Sequence, residues 1–425
     1  MSRQRMAVIG AGVSGMVAAH YLAKKHDVVL YEAQDRLGGH VNTVDIGSDF
    51  GPDAGLPVDT GFIVYNDRTY PNFIRFLQEL GIQGAPTDMS FSYTDLSRSF
   101  AYAGTDLNGL FACRRHVFHP GFWAFLTGIL RFNRRATRDM SCEDLQGITL
   151  DTYLKRTKAS KRLLRDYLGP MTQAIWSAPE AEAKAFPAAS FIHFFDNHGL
   201  LSRPGRIQWR YLQGGSRTYV QAFAAAFPGQ VRLNSPVQSV ERDSPKGPLV
   251  RTSQAEDHFD GVVLATHADQ ALRLLTDADD TERAALGPWR YSQNRTVLHC
   301  DPGQMPALSR AWACWNVLKH DADQKTQGAV RVTYWMNRLQ RLQAQRPWLV
   351  TLNPARDLAP GSTVYETMYE HPIYTLESTA SQEILPAISG RRGTYFCGSY
   401  HGYGFHEDGA RSAVNVVHRH FGITP

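Results

Sequence analysis

The sequence predicts an α/β fold in which a Rossmann-type dinucleotide-binding domain is interleaved with an α+β substrate domain. Three observations predict it. A glycine-rich turn separates an apolar run from a helical run at the N-terminus. A carboxylate closes the strand that follows. Short β runs of the same kind return in the middle and at the end of the chain. At 425 residues the chain is too long for one ordinary core, so two domains are expected. With 43% hydrophobic and 20% charged residues it has the makeup of a packed globular protein. A net charge of +5 is too small a surplus to argue for nucleic acid as a partner.

The first element is Met6–Ile9, an apolar run long enough for a buried parallel strand. Gly10-Ala11-Gly12-Val13-Ser14-Gly15 follows it. Met16–Lys25 then carries helical spacing, with Val17, Tyr21 and Leu22 on related faces. Asp27–Tyr31 is the second strand, and Glu32 ends it. A lone G-x-G-x-x-G says little, but between a strand and a helix it is a specific signal. Gly10 permits the tight turn, Gly12 lets backbone approach a pyrophosphate, and Gly15 lets helix and strand pack closely. Val13 and Ser14 belong to the same phosphate cradle, where free N–H groups and the positive end of the helix dipole gather. Glu32 is placed to accept hydrogen bonds from a ribose 2′-hydroxyl and would repel a 2′-phosphate.

A helix is expected at Pro71–Leu80, stopped by Gly81. Strands follow at Phe91–Tyr93 and Ser99–Ala103. From Leu107 to Arg206 the chain is rich in aromatics and Arg, mostly helical, and free of dinucleotide-binding pattern. β runs return at Gln230–Val240 and Asp260–Ala265. Arg295–Tyr374 is strand-rich and precedes a helix near Gln382–Ala387. The chain closes with a strand at Thr394–Cys397, a glycine-rich turn, and a helix at about Gly409–Phe421. The expected division is therefore 1–92, 207–290 and 385–425 for the cofactor domain, with 93–206 and 291–384 for the substrate domain.

No apolar run reaches 18 residues and no signal peptide is visible, so a cytoplasmic protein without a membrane span is expected. The five cysteines, Cys113, Cys142, Cys300, Cys314 and Cys397, form no CxxC and suggest idle thiols in a reducing compartment. No HExxH, His/Cys cluster or acidic metal pattern occurs, so no metal is expected. G-x-S-x-G and Walker A patterns are absent as well.

The next pieces decide which dinucleotide. Arg36-Leu37-Gly38-Gly39-His40 follows Glu32 by four residues, and Asp59-Thr60-Gly61-Phe62 forms a later turn. With these, the sequence resembles the flavoprotein superfamily of amine oxidases, phytoene desaturases and protoporphyrinogen oxidases. The resemblance implies a glutathione-reductase-like fold and non-covalent FAD, with Arg36, Gly38, Gly39, His40, Gly61 and Phe62 against it. His40 stands where the family usually has Arg. Asn234 to Val240 resembles the strand that holds the adenine, with Val237 as the contact, and Val262 to Thr266, including Ala265, resembles the strand under the adenosine. Gly398-Ser399-Tyr400 and Gly404-Phe405-His406-Glu407-Asp408-Gly409-Ala410 resemble the closing FAD motif, with Gly398, Ser399, Phe405 and Glu407 at the cofactor. Many relatives carry an acid where this chain has Ser399. The likeness covers residues 107–206 poorly.

The run YFCGSYHGYGFHEDGARSA from Tyr395, with DTGFIVYNDRTYPNF from Asp59 and VTYWMNRLQ from Val332, narrows the resemblance. It is similar to a bacterial branch of FAD proteins associated with cyclopropane-synthase-type methyltransferases and lipid modification, and more distantly to polyenoic fatty acid isomerases. Amine oxidases of the superfamily usually carry a Lys near flavin N5. Residues 330–356, expected near the flavin, hold no Lys and offer Arg331, Tyr334, Trp335, Asn337 and Arg338. His401, His406, Tyr403 and Tyr334 are the candidates for proton transfer.

Met171, Ile175, Trp176, Phe186, Phe191, Phe194 and Phe195 are candidates for the wall of an apolar tunnel, with core packing as the alternative for each. The run from His116 to Leu126, with Arg131, Arg134 and Arg135, suits a peripheral contact at the inner membrane face, or a core helix with a solvated basic end. The expected activity is hydride abstraction from a fatty acyl chain, giving desaturation. A redox-neutral double-bond isomerase, an amine oxidase, and a flavin-bound non-catalytic partner in a lipid-modifying complex stand as alternatives. A homodimer is one open assembly.

Overall fold

The computed structural model describes residues 2–140, 145–176, 180–201, 207–319, 331–354 and 356–424, without the side chains of residues 180 and 181. Strand β1 (Arg5–Ile9) and strand β2 (Asp27–Tyr31) are apolar and buried beyond their first residues. They pair in parallel, Arg5 beside Asp27 and Ile9 beside Tyr31. Gly261–Leu264 pairs in parallel on the other side of β1. Thr394–Phe396 lies outside that strand, and Gln230–Arg232 outside β2. Five parallel strands from three distant parts of the chain thus form one sheet.

Helix α1 (Val13–Leu22) crosses over between β1 and β2 with nine of its residues buried. It begins three residues before the expected Met16, because Gly12 itself is the N-cap. It also ends before the expected Lys25. Lys24 and Lys25 N–H groups bond to Tyr21 and Leu22 carbonyls, a three-residue spacing that tightens the chain into a turn.

The expected run Gln230–Val240 is two strands. Gln230–Arg232 belongs to the parallel sheet, while Val237–Glu241 joins Leu249–Thr252 and Glu256–His258 in an antiparallel sheet. Between them Asn234 has φ +50, and its N–H and that of Ser235 bond to the carbonyls of Gln34 and Glu32. This left-handed turn, tied to the segment after β2, breaks the run.

A seven-stranded mixed sheet covers the parallel unit. Its order is Thr363–Ile373, Arg290–His299, Leu349–Leu352, Val332–Trp335, Trp315–Lys319, Phe91–Asp95 and Phe100–Ala103. The expected domain boundary at residue 92 falls inside its strand Phe91–Asp95. Helix α2 (Pro71–Glu79) precedes it and stops before Gly81, which has φ +72.

Helix α3 (Leu107–Leu110) opens the helical insert and α4 (Pro120–Asp139) is its longest member. Helix α4 buries Phe122, Phe125, Phe132 and Ala136. Phe122 and Phe125 join Tyr93, Phe100 and Tyr102 of the sheet in one cluster. Buried Asp166 receives hydrogen bonds from Arg98, Arg162 and Arg165, fastening the insert to the Phe91–Ala103 hairpin.

Two further boundaries differ from expectation. The helix expected near Gln382–Ala387 is two, Leu376–Ser381 and Leu385–Ile388, because Pro386 fits a first turn and not a helix interior. The last helix begins at His406 rather than Gly409. Asp408 Oδ2 accepts from the Phe405 and Tyr403 N–H groups, which closes the helix start earlier.

Cys113, Cys300, Cys314 and Cys397 are free thiols, and Cys142 lies outside the described residues. Among the described residues no helix is long and apolar enough to cross a membrane.

Candidate active site

A cavity of about 1530 Å³ runs from the carboxyl ends of β1 and β2 to the underside of the seven-stranded sheet. Concave ligand sites usually measure about 300–1,000 Å³, so this one has room for a dinucleotide and a second molecule.

Its first half is the glycine crossover. Gly10 has φ +95, and a Cβ there would lie 2.9 Å from the Ala265 carbonyl oxygen. A Cβ on Gly15 would lie 1.8 Å from the Gly10 oxygen, so helix and strand touch at that residue. Gly12 differs: a Cβ would meet nothing within 4 Å and would project into the cavity. That is the cradle an incoming pyrophosphate requires, with Val13 and Ser14 beside it and no side chain capping the α1 N-terminus.

Glu32 lies on the cavity wall and accepts from the Ala11 and Gln34 N–H groups at 2.8 and 3.0 Å. Two oxygens carry about four lone-pair sites, so capacity remains for a ribose hydroxyl.

The second glycine pair packs onto the first. Gly38 N–H bonds to the Ala11 oxygen, and a Cβ on Gly39 would lie 3.2 Å from Gly12 Cα. Arg36 holds this loop by donating to the carbonyls of Val41 and Gly39 at 2.7 and 3.0 Å. Gly61 passes so close to His40 that a Cβ would lie 2.0 Å from its carbonyl oxygen, and Phe62 N–H bonds to that oxygen.

Asp59 is buried behind the loop. It accepts from Thr43, Ser216 and Gln340 side chains, and burial raises its carboxyl pKa to about 6. Val237, Ala265, Gly398 and Ser399 also line the cavity. These residues would hold FAD.

Two expected site residues lie elsewhere. Glu407 does not line the cavity. Its oxygens accept from the Asn72 side chain at 2.6 Å and the Phe73 N–H at 3.0 Å, so it caps the start of α2. The reason is orientation: in the first turn of the last helix, His406 faces the cavity and Glu407 the neighbouring helix. His401 is also outside the wall. It packs on Tyr400, with Nε2 buried and unbonded among the described residues, and burial lowers its pKa to about 3.

His406, Tyr403, Phe405 and Tyr334 do line the cavity. His406 stacks on Phe62 at 3.6 Å, and burial pushes its pKa well below the usual range. Tyr403 donates its N–H to Asp408, and its carbonyl accepts from Trp176. Tyr334 stands edge-on to Trp315 at 5.4 Å, its hydroxyl pKa raised by burial. Of the residues expected from 330–356, Arg331, Trp335, Asn337 and Arg338 lie off this wall, Arg338 being paired with Asp88.

The second half of the cavity is an aromatic and aliphatic chamber. Met171, Ile175, Trp176 and Phe194 line it, whereas Phe186, Phe191 and Phe195 are core. Among the described residues no lysine lines the cavity.

Sequence reasoning missed three wall histidines, His198, His267 and His371, and the wall tyrosine Tyr369. His198 stacks on Phe194 at 3.8 Å and bonds through Nδ1 to the Phe194 carbonyl; burial lowers its pKa to about 4. His267 stacks on Tyr291 at 4.2 Å. His371 lies 5.6 Å from His40 and 3.0 Å from the Asn294 amide. Tyr369 stacks on His40 at 5.0 Å, and Nε2 of His40 contacts the Glu370 oxygen at 3.1 Å. Burial lowers the pKa of His40 to about 4 and of His371 to about 3, so both rings are neutral near pH 7. The rule that ligands bind at carboxyl ends of parallel strands could have flagged His267, three residues past Leu264. The others follow no local signal.

A family profile described as flavin containing amine oxidoreductase matches residues 13–300. An L-amino acid oxidase of Cerastes cerastes is 51% identical over 41 residues, and a tryptophan 2-monooxygenase of Pseudomonas savastanoi is 56% identical over 39. Each stretch is 9% of this chain, and they span only 8% and 7% of those two proteins. Among solved structures, a CLA-producing fatty acid isomerase from P. acnes superposes with TM-score 0.69 at 14% identity, over 98% of this chain and 99% of that one. A putrescine oxidase superposes with TM-score 0.68 at 16% identity, over 99% of both chains. Cyclohexylamine oxidase from Brevibacterium oxydans gives 0.66 at 16%, over 98% and 99%. At these identities the likeness is one of fold.

Proposed function

Because this chain belongs to the flavin containing amine oxidoreductase family, with FAD as its cofactor, we propose that its substrate is a fatty acyl chain and its reaction hydride abstraction from that chain. One observation carries this reading: the chamber that continues the dinucleotide crevice is walled by Met171, Ile175, Trp176, Phe194 and Tyr334, with no lysine among the described lining residues. Such a wall holds an uncharged methylene chain through dispersion and exclusion of water. Similarity in fold to a fatty acid isomerase supports the same substrate class.

When bound, FAD accepts and returns a hydride at flavin N5. The chain's own residues orient the acyl group and handle the proton. Desaturation also releases a proton from the neighbouring carbon, and a neutral imidazole can take it. His406, expected from sequence, and His198 are neutral rings on the wall, which Tyr403 and Tyr334 also line. In the isomerase variant the hydride returns at another carbon and no net proton leaves. The family name and the amine-oxidase neighbours favour an amine as the rival substrate.

Anaerobic mixing of the yellow protein with candidate acyl lipids tests the proposal. Bleaching of the visible flavin band with a product lighter by two hydrogens supports desaturation. An isobaric product without net bleaching supports isomerisation. Bleaching by amines and by no acyl chain overturns the proposal, and silence towards every lipid favours the non-catalytic partner.

A further inference from the structure

From Leu107 to Arg138 the chain carries Arg114, Arg115, Arg131, Arg134, Arg135 and Arg138 and no Asp, Glu or Lys. Six positive charges on this one segment exceed the +5 of the whole chain. The acids that bound it are engaged. Asp106 caps α3 by accepting from Gly109 N–H, and Asp139 pairs with Arg135. Arg131, Arg134 and Arg138 have no ion-pair partner among the described residues. Arg115 donates to the Ser99 carbonyl, and Arg114 to the Phe111 carbonyl and Asn108.

The same segment exposes large apolar groups. Phe118 is 87% exposed, Leu107 74%, Leu130 57% and Trp123 47%. The inward face of α4 is already filled by Phe122, Phe125, Phe132 and Ala136. Trp123, Thr127, Leu130, Arg131, Arg134 and Arg138 recur at helical spacing on the opposite face. Trp123 Nε1 donates to the Val117 carbonyl at 2.9 Å, which fixes the indole beside the exposed Val117–Phe118 pair.

The charge selects the occupant. A second copy joined through this face would bring like arginines together, since a two-fold interface repeats the same patch. An anionic bilayer supplies both missing partners: phosphates for guanidinium groups, and a headgroup–acyl boundary for aromatic rings. We propose that the α3–α4 face docks the protein on an anionic lipid bilayer, with Phe118 and Trp123 at the acyl boundary and the arginines among the headgroups. Docking is independent of the acyl reading, because it is measured without turnover.

The test is co-sedimentation of the FAD-loaded protein with vesicles of phosphatidylcholine alone and of an equimolar phosphatidylcholine–phosphatidylglycerol mixture. Pelleting is expected with the mixed vesicles only and is expected to fade as salt rises. Arg131→Ala with Arg134→Ala is expected to weaken binding about thirtyfold, since each basic group near such a surface accounts for roughly fivefold. Phe118→Ser with Trp123→Ser is expected to weaken it by about tenfold or more at constant charge. All variants should keep the wild-type flavin spectrum and thermal midpoint. Equal pelleting with both vesicle types, pelleting with neither, or wild-type binding by folded variants would overturn the proposal. So would a dimer in sedimentation velocity that the Phe118/Trp123 variant abolishes.

Discussion

At the scale of single residues, the three glycines of the crossover have separable duties. Gly12 faces the cavity, whereas Gly15 faces the Gly10 carbonyl. A Gly12→Val protein should therefore fold with a near-normal thermal midpoint and yet lose FAD affinity by about 3 kcal/mol, roughly two orders of magnitude in Kd. Gly15→Val should fail to fold, because its Cβ would sit 1.8 Å from a backbone oxygen. The ratio of visible to protein absorbance after purification, read beside a melting curve, distinguishes the two. A Gly12→Val protein that purifies fully yellow would contradict the pyrophosphate placement.

At the scale of elements, Glu407 joins two helices. It lies in the first turn of the last helix and caps α2 through Asn72 and Phe73. Glu407→Gln keeps one acceptor and loses the charge that favours a helix N-terminus. A loss of about 1–2 kcal/mol in stability is expected, with FAD content unchanged. Denaturant unfolding followed beside flavin absorbance checks both parts, and loss of flavin from a stable variant would return Glu407 to the cofactor.

This residue also marks the limit of what the sequence discloses. The crossover was legible because each glycine answers a local steric demand, and Glu32 stands at a fixed step beyond it. The polar edge strand Gln230–Arg232 was not separable from the run after it, whereas the inner parallel strands β1, β2 and Gly261–Leu264 were legible as apolar runs. Glu407 was not, because the one-residue rotation that turns it from the cavity depends on where Asp408 starts the helix. Nor were Tyr369, Glu370 and His371, which reach His40 only through the docking of a strand more than 300 residues away. The chamber was half legible: seven apolar candidates were alike in composition, and packing divided them into four wall and three core residues.

At the scale of the whole molecule, burial of histidines couples the fold to pH. His40 and His198 have pKa values lowered to about 4, and His371 and His401 to about 3. An unfolded chain returns each to about 6.5. Between roughly pH 6.5 and 4 the unfolded state therefore binds more protons than the folded one, and stability rises with pH. Each histidine contributes about 1.4 kcal/mol per pH unit inside that window. Asp59 acts in the opposite sense: its folded pKa is raised to about 6, so it takes up a proton in the folded state first and offsets roughly one histidine between about pH 4 and 6. His116 and His299, lowered to about 4 by burial, add to these four, and the six histidines outweigh Asp59 with the raised carboxyls of Glu407 and Asp408, so acidification costs stability on balance. The thermal midpoint should fall steadily as pH is lowered from 7 to 5. Replacing His371, whose ring lies 5.6 Å from that of His40, with Asn should flatten that fall. A midpoint that is level or rises over this range would mean that the wall histidines are protonated in the folded protein, and the neutral imidazoles assigned to the chamber would have to be given up.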